Sequence, residues 1–386
     1  MRRSLLCLCL IPLVLAGCST VRVTPTATRP AAATPGELMP PVRSDRANTQ
    51  GFPPGDSDGY RPPERLAVLL PMTGSLAAPS AGVRDGFLAA YYAETRRRPT
   101  IKFYDSLGTG GGAQAALARA LADGAQLIVG PLTRDEVNAV SGQGGNVPMI
   151  ALNRGSHSPA RGSTSFALLP DDEGTAAALR LLGRGQGQAL VFSNRSDSAQ
   201  RSVAAFREAL RAGGGQVVGD IPVVGDSVDL STQLAALQAG PKPPNAVFIA
   251  LEAGPARAIA AQLKASELAG LPKIASSQIL SGANARADVE LDGIEYPELP
   301  WLIGQGGSLP DAGALRSLPS ARGPSQRLFA FGADAWRLAA YYERLYNDPA
   351  YSLRGATGEL HIDIAGPVRR TPSWAVFSGG RGRSSR

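Results

Sequence analysis

The chain has 386 residues, a length that accommodates one large domain or two medium-sized ones. Its formal net charge of +7 would suit a nucleic-acid-binding protein. Seven of the 39 basic residues, however, lie near the two ends of the chain: Arg2, Arg3, Arg369, Arg370, Arg381, Arg383 and Arg386. The other 32 balance the 32 acidic residues, so the charge indicates no nucleic-acid partner.

The first eighteen residues have the pattern of a bacterial lipoprotein signal. Arg2 and Arg3 form a positive region, and Ser4–Ala16 is apolar but too short to span a bilayer. The letters LAGC at 15–18 are typical of a lipobox, where the chain is cut before the cysteine and the cysteine is acylated. We therefore expect residues 1–17 to be a signal peptide and Cys18 to carry the lipid. An ordinary signal peptide with an incidental cysteine is the alternative.

This interpretation determines what the cysteines can do. Cys7 and Cys9 would leave with the signal peptide, and Cys18 would become a thioether. The mature protein would then hold no free thiol, which excludes disulfides, thiolate catalysis and cysteine–metal sites. Several acyl chains on one residue suffice for stable membrane anchoring. Ser19 directly follows the cysteine and, by analogy with enterobacterial lipoproteins, indicates the outer membrane.

Residues 18–63 are predicted to form a flexible tether. The segment is rich in proline, threonine, alanine, glycine and arginine and shows no apolar periodicity, so it is expected to be disordered. A coil of about 45 residues reaches about 40 Å on average. Gly55–Gly59 matches the G-x-S-x-G pattern of a nucleophile turn, but that motif needs a strand before it and a helix after it. Its position in the tether excludes this role.

The folded part is predicted to alternate strands and helices. It opens with an apolar run, Leu66–Leu70, which fits a strand buried on both faces that ends at Pro71. A polar loop and a helix follow, and the helix has Val83 and Phe87 on its apolar stripe. Further strands are predicted at Thr100–Tyr104, Gln126–Gly130 and Pro148–Leu152. Because helices separate them, these strands indicate a parallel sheet.

A second series of the same kind follows. Its predicted strands are Ala189–Phe192, Gln216–Val218, Ala246–Ala250 and Lys273–Ala275, and its helices are Ser198–Ala212, Leu230–Gln238 and Pro255–Lys264. Towards the end of the chain we predict an amphipathic helix at Arg327–Tyr346 and strand-like segments at 357–363 and 374–377. The predicted fold class is therefore α/β, with two Rossmann-like lobes that contain parallel sheets and face each other across a cleft.

The sequence shows little catalytic or metal-binding chemistry. His157 and His361 lack partners at metal-ligand spacing, and the acid pairs at 135–136 and 171–172 lie at helix starts, where the helix dipole favours them. We predict no catalytic residue, no metal and no cofactor. In parallel α/β folds, ligands bind at the carboxyl ends of the strands. The polar residues expected there, lining the cleft, are Thr73, Ser75, Asp105, Asn153, Arg154, Glu252, Ser276, Ser277 and Glu298.

Several segments of the chain resemble a known family. They include LLPMTG (69–74), RDGFLAA (84–90), QLIVGPL (126–132), FALLPDDE (166–173), DGIEYPELPW (292–301) and FGADAWRLA (331–339). In this order they resemble the penicillin-binding protein activators, the LpoA or LppC lipoproteins. The resemblance implies a type I periplasmic-binding-protein fold and a lipid-anchored protein of the outer membrane that faces the periplasm.

The same resemblance implies a function. The protein would bind a class A, bifunctional penicillin-binding protein and stimulate peptidoglycan synthesis, would not be an enzyme itself, and would have peptidoglycan as a further candidate partner. Longer family members carry an N-terminal helical-repeat domain, whereas only the tether is expected here. The alternative is a tethered receptor that closes on an amino acid or a similar small solute.

The resemblance and the order of the predicted elements together give expected domain boundaries. Lobe 1 is expected to comprise residues 64–168 and 292–362, and lobe 2 residues 169–291 and 363–378. Residues 379–386 are expected to form a basic tail.

The lipobox interpretation predicts the effect of one substitution. Cys18→Ala removes the acylated thiol, so we expect the protein to move from the membrane fraction to the soluble periplasmic fraction without unfolding. Cell fractionation and circular dichroism of the purified variant measure both properties. A variant that stays in the membrane fraction would contradict the lipobox.

Overall fold

The computed structural model describes residues 45–225, 229–281, 283–307 and 309–385. The predicted signal peptide, Cys18 and the tether up to residue 44 lie outside the described residues. Among the described helices, none is both long enough and apolar enough to cross a membrane.

Helices and strands alternate along most of the described chain. The helices are α1 Ala77–Ala93, α2 Gly110–Ala122, α3 Arg134–Val140, α4 Pro170–Leu182, α5 Asp197–Ala212, α6 Ser231–Gln238, α7 Ala253–Lys264, α8 Ser325–Ala340 and α9 Tyr342–Asn347. The strands are β1 Arg65–Leu70, β2 Thr100–Asp105, β3 Leu127–Val129, β4 Met149–Ala151, β5 Thr164–Ser165, β6 Gln188–Ser193, β7 Gln216–Pro222, β8 Ala246–Ala250, β9 Lys273–Ala275, β10 Glu295–Glu298, β11 Leu353–Arg354, β12 Glu359–Ile362, β13 Val368–Thr371, β14 Ser373–Ser378 and β15 Arg381–Ser385.

Lobe 1 is built on a parallel sheet with the strand order β2-β1-β3-β4-β5. Leu66 and Val68 pack on one face of this sheet, and Ala67 and Leu69 pack on the other. The unbroken apolar run of β1 therefore serves two cores, as predicted. Helices α8 and α9 and the small antiparallel sheet β11-β12-β13 contribute to one of these cores.

Lobe 2 is built on a seven-stranded sheet with the order β15-β14-β10-β9-β8-β6-β7. Strands β6 to β10 pair in parallel, and β14 and β15 add an antiparallel edge. Helices α4 to α7 cover the sheet, and their apolar residues complete two further cores. Two lobes with predominantly parallel sheets confirm the predicted fold class.

The chain crosses between the lobes three times: before α4, after β10, and between β13 and β14. Two predicted boundaries therefore differ from the structure. Residues 295–298 were expected in lobe 1, but β10 pairs with β9 and β14 of lobe 2. Residues 368–371 were expected in lobe 2, but β13 pairs with β12, which packs on lobe 1.

The second half of the predicted tether packs on lobe 1. Tyr60 is only 1 % exposed, and its hydroxyl donates to the carbonyl oxygen of Arg97 at 2.6 Å. Arg61 forms an ion pair with Glu343 at 2.7 Å. Phe52 is buried as well. The prediction was wrong for residues 45–63 because their average composition concealed two aromatic anchors.

The predicted basic tail is a strand. Residues 381–385 form β15, which pairs antiparallel with β14 through a turn at Gly379 and Gly380. Both glycines have positive φ angles, 61° and 69°, which a two-residue hairpin turn of this hand requires. The carboxylate of Asp292 accepts both of their backbone N–H groups. The high arginine content of residues 379–386 indicated disorder and concealed the turn signal of the Gly-Gly pair.

Helices α1 and α8 pack against each other through glycines. A Cβ atom at Gly86 would lie 1.8 Å from the carbonyl oxygen of Phe329, and one at Gly332 would lie 1.9 Å from that of Val83. The glycines therefore permit a close approach of the two backbones. Beyond them, the Trp336 ring packs edge-to-face on Phe87 at 5.8 Å between centroids.

The glycine contact predicts a large loss of stability for Gly86→Ala. The added methyl group forces α1 and α8 apart, and overpacking of this kind costs about 2 kcal/mol or more. Gly111→Ala in the first turn of α2 is the matched control, because nothing lies within 4 Å of its Cβ position. We expect the control to be neutral or slightly stabilising. Urea unfolding of both variants measures the difference, and equal midpoints would show that the helices separate without penalty.

Candidate functional site

The candidate functional site is the junction between the lobes, where α4 begins. Pro170 is the first residue of the helix, a position at which its missing N–H group is harmless. Asp171, Asp172 and Glu173 fill the first turn, where the helix dipole favours negative charge. Asp172 and Glu173 are each only 7 % exposed, so their charges need partners inside the protein.

Glu173 is surrounded by groups from three other elements. Its Oε1 atom lies 3.6 Å from an Nη2 atom of Arg327 on α8 and 3.6 Å from that of Arg370 on β13. Its Oε2 atom accepts the backbone N–H of Ser277 at 2.9 Å. Arg327 also donates to Glu298, at the end of β10, at 3.0 Å. Glu173 thus lies where the chain crosses between the lobes before α4. It connects to the crossing after β10 through Arg327 and to the crossing after β13 through Arg370.

Asp172 lies between two further arginines. Its Oδ1 atom is 3.6 Å from Nη2 of Arg154, which follows β4, and 3.8 Å from Nη1 of Arg369 on β13. Its neighbour Asp171 pairs at 2.6 Å with Arg201 on α5, within lobe 2. Of the three acids in the first turn, two therefore face lobe 1.

Burial shifts the ionisation of this junction. Desolvation raises the pKa of Asp172 and of Glu298 even though arginines lie nearby. Desolvation also lowers the pKa of Arg154 and of Arg370. The shifts share one cause: burial disfavours each charged form, and most of the ion pairs are too long to offset that penalty fully.

The structure brings together some of the nine residues that were expected to line the cleft. Arg154, Ser277 and Glu298 meet at the junction, and Ser276 is buried next to it.

The other expected residues take no part in the ion pairs of the junction. At the ends of β1 and β2, Asp105 accepts the Thr73 hydroxyl at 2.7 Å and the Met72 N–H at 2.9 Å. Asn153 donates to the carbonyl oxygen of Leu132, and Ser75 and Glu252 are exposed. No cluster of three or more metal-binding side chains occurs within the described ranges.

Sequence reasoning did not identify five residues of the junction: Asp172, Glu173, Arg327, Arg369 and Arg370. The acid pair at 171–172 indicates a helix start, where the dipole and capping favour acids, and so it does not point to partners in the other lobe. Its partners are distant in the sequence, and nothing in their local context marks them as partners. Adjacent arginines at 369 and 370 were counted as part of a basic end of the chain, although the Arg370 side chain is 1 % exposed.

A family model described as "LppC putative lipoprotein" matches residues 60–380 of the chain. Among proteins of assigned name, the chain is similar to "Penicillin-binding protein activator LpoA" of Photobacterium profundum, with 26% identity over 348 residues. This match covers 82% of the chain and 56% of the relative. The chain spans about half the length of the curated relatives it matches.

Two solved structures share the fold. The first is the LpoA C-domain of Haemophilus influenzae, named as a regulator of PBP1A. It has a TM-score of 0.72 and 22% identity, and the match covers 83% of this chain and 100% of that domain. The second is a putative branched-chain amino acid ABC transporter protein from Chromobacterium violaceum. It has a TM-score of 0.65 and 25% identity, and the match covers 81% of this chain and 99% of that protein. Both comparisons agree with the two-lobed architecture.

The junction predicts that Glu173→Gln is strongly destabilising. Loss of this carboxylate leaves the buried Arg370 and the partly buried Arg327 with less compensation, and breaking a buried ion pair costs about 3 kcal/mol. The control is Glu208→Gln, whose exposed ion pair with Arg211 on α5 should leave the melting temperature unchanged. Calorimetric or circular-dichroism melting measures both variants. Similar melting temperatures would mean that the junction carries no net attraction.

Proposed function

Because this chain belongs to the LppC family of lipoproteins, we propose that it binds and activates a class A, bifunctional penicillin-binding protein and thereby regulates peptidoglycan synthesis. The observation that carries this proposal is the family match over residues 60–380. The named relatives are penicillin-binding protein activators, and the chain covers the whole of a C-domain named as a regulator of PBP1A. The proposed role requires contact with a synthase and no chemistry of its own.

The proposed location follows from the same family. The lipid on Cys18 anchors the protein in the outer membrane, with the two lobes in the periplasm. Peptidoglycan is the further partner that this location offers, and the tether predicted for residues 18–63 would set how far the lobes reach towards the synthase. The part of the predicted tether that packs on lobe 1 shortens that reach relative to the full 18–63 segment.

The junction favours the activator over a solute receptor. Arg154 and Glu298 were expected to line the cleft, and they pair there with Asp172 and Arg327. Asp105, at the ends of two strands, accepts three hydrogen bonds from Met72, Thr73 and Leu107. The pairs of Arg154 and Glu298 join the two lobes, and the hydrogen bonds of Asp105 lie within lobe 1. Side chains that are paired in either way are less available for an amino acid.

A titration tests the proposal. The soluble chain that begins after residue 18 is added to each class A penicillin-binding protein of the same organism, and glycan polymerisation and peptide cross-linking are followed. We expect one synthase to show saturable activation of about fivefold or more, as for a coupling free energy above about 1 kcal/mol. The synthases that do not respond serve as controls.

The alternative function, a solute receptor, is tested in parallel. Amino acids are screened against the chain by thermal shift, with a ligand-induced rise in melting temperature as the readout. No activation of any synthase, together with a stabilising amino acid, would replace the activator with the receptor.

A further inference from the structure

The two lobes present opposite charges to each other at the junction. The arginines all belong to lobe 1: Arg154, Arg327, Arg369 and Arg370. The facing acids all belong to lobe 2: Asp172, Glu173 and Glu298. Lobe 1 therefore has a basic face that is complementary to an anion, and lobe 2 covers it with carboxylates.

The hydrogen-bonding capacity of these arginines is only partly used. In the part of the chain that the structure describes, four of the five ion pairs between the lobes measure 3.6 to 3.8 Å, which is longer than a hydrogen bond. Among the described residues, Nε and Nη2 of Arg370 and Nη2 of Arg154 have no hydrogen-bond partner. The Arg370 side chain is 1 % exposed, and its Nη2 atom faces Glu173. A buried guanidinium group with unused donors favours a better-placed acceptor.

The group that covers this face is itself a peptide segment. It consists of the start of α4, where Pro170 opens the helix and two acids point towards lobe 1. We propose that lobe 1 carries a binding face for an acidic peptide segment of another protein, and that the start of α4 occupies this face as an internal competitor. The arginines recognise the carboxylates, and the charge complementarity within the chain defines the chemistry of the partner.

The internal competitor determines how the face behaves. Because α4 is covalently tethered, its effective concentration at lobe 1 is high, and a free acidic segment binds only when the lobes separate. The apparent affinity is therefore reduced by the small fraction of open molecules. Weakening the internal competitor should strengthen binding of the external peptide, whereas a simple structural junction has no such property. This inference is argued from contacts within the chain, and it does not depend on the activator proposal.

A binding experiment tests the inference with a segment of the chain as the probe. A fluorescent peptide with the sequence of residues 166–175, FALLPDDEGT, is titrated with the full-length chain in detergent and followed by anisotropy. The control peptide has Asn, Asn and Gln in place of the three acids. We expect weak binding to the wild type and about tenfold tighter binding to the Asp172→Asn/Glu173→Gln double variant, because the open fraction rises. The control peptide should bind neither protein.

Arginine variants provide the matched comparison. In the double-variant background, Arg370→Met should abolish the gain, whereas Arg211→Met on the exposed face of α5 should preserve it. Circular dichroism checks that each variant is folded. If the double variant is unfolded, Glu298→Gln takes its place, since it removes the shorter of the two ion pairs of Arg327. Equal binding by wild type and a folded acid variant, or equal binding of both peptides, would overturn the inference.

Discussion

The buried charge of Glu173 is the constraint on which the two-lobed arrangement depends. Placing a carboxylate at 7 % exposure carries a large desolvation penalty, which only opposite charge and hydrogen bonds can offset. The compensating groups, Arg327, Arg370 and the Ser277 N–H, come from α8, β13 and the end of β9. Any movement that separates the lobes removes Arg327 and Arg370 of lobe 1 together, while the Ser277 N–H of lobe 2 stays with Glu173. One side chain thus couples the relative position of the lobes to the pairing of a buried charge.

The segments that carry the family resemblance have identifiable physical tasks. RDGF and FGADAW supply Gly86 and Gly332, which let α1 and α8 touch, and the latter also supplies Asp334. The fully buried Asp334 accepts the N–H groups of Ala356 and Thr357 and so holds the approach to β12. FALLPDDE and DGIEYPELPW supply the acids of the junction. The distinctive letters therefore encode backbone approach and the join between the lobes.

The sequence predicted most of what depends on local pattern. The run Leu66–Leu70 identified a central strand because its two-sided burial is visible in consecutive letters. The partners of Glu173 were not predictable in this way, because α8 and β13 reach it only through the topology of both lobes. Residues 45–63 and 381–385 were misassigned for a related reason. Composition averages over a segment, whereas single residues such as Tyr60 and a Gly-Gly pair decide whether that segment packs.

The two lobes contact each other at the junction through opposite charges that belong to the chain itself. Closure in a solute receptor is driven by the ligand, which supplies the contacts that the two lobes lack on their own. Here Asp172, Glu173 and Glu298 of lobe 2 already supply anionic groups to the arginines of lobe 1. The lobes thus make with each other the kind of contacts that a ligand makes in a solute receptor. In the proposed activator role the joined lobes present one surface to a protein partner, and in the proposed competition they open for a segment that carries the same charge as α4.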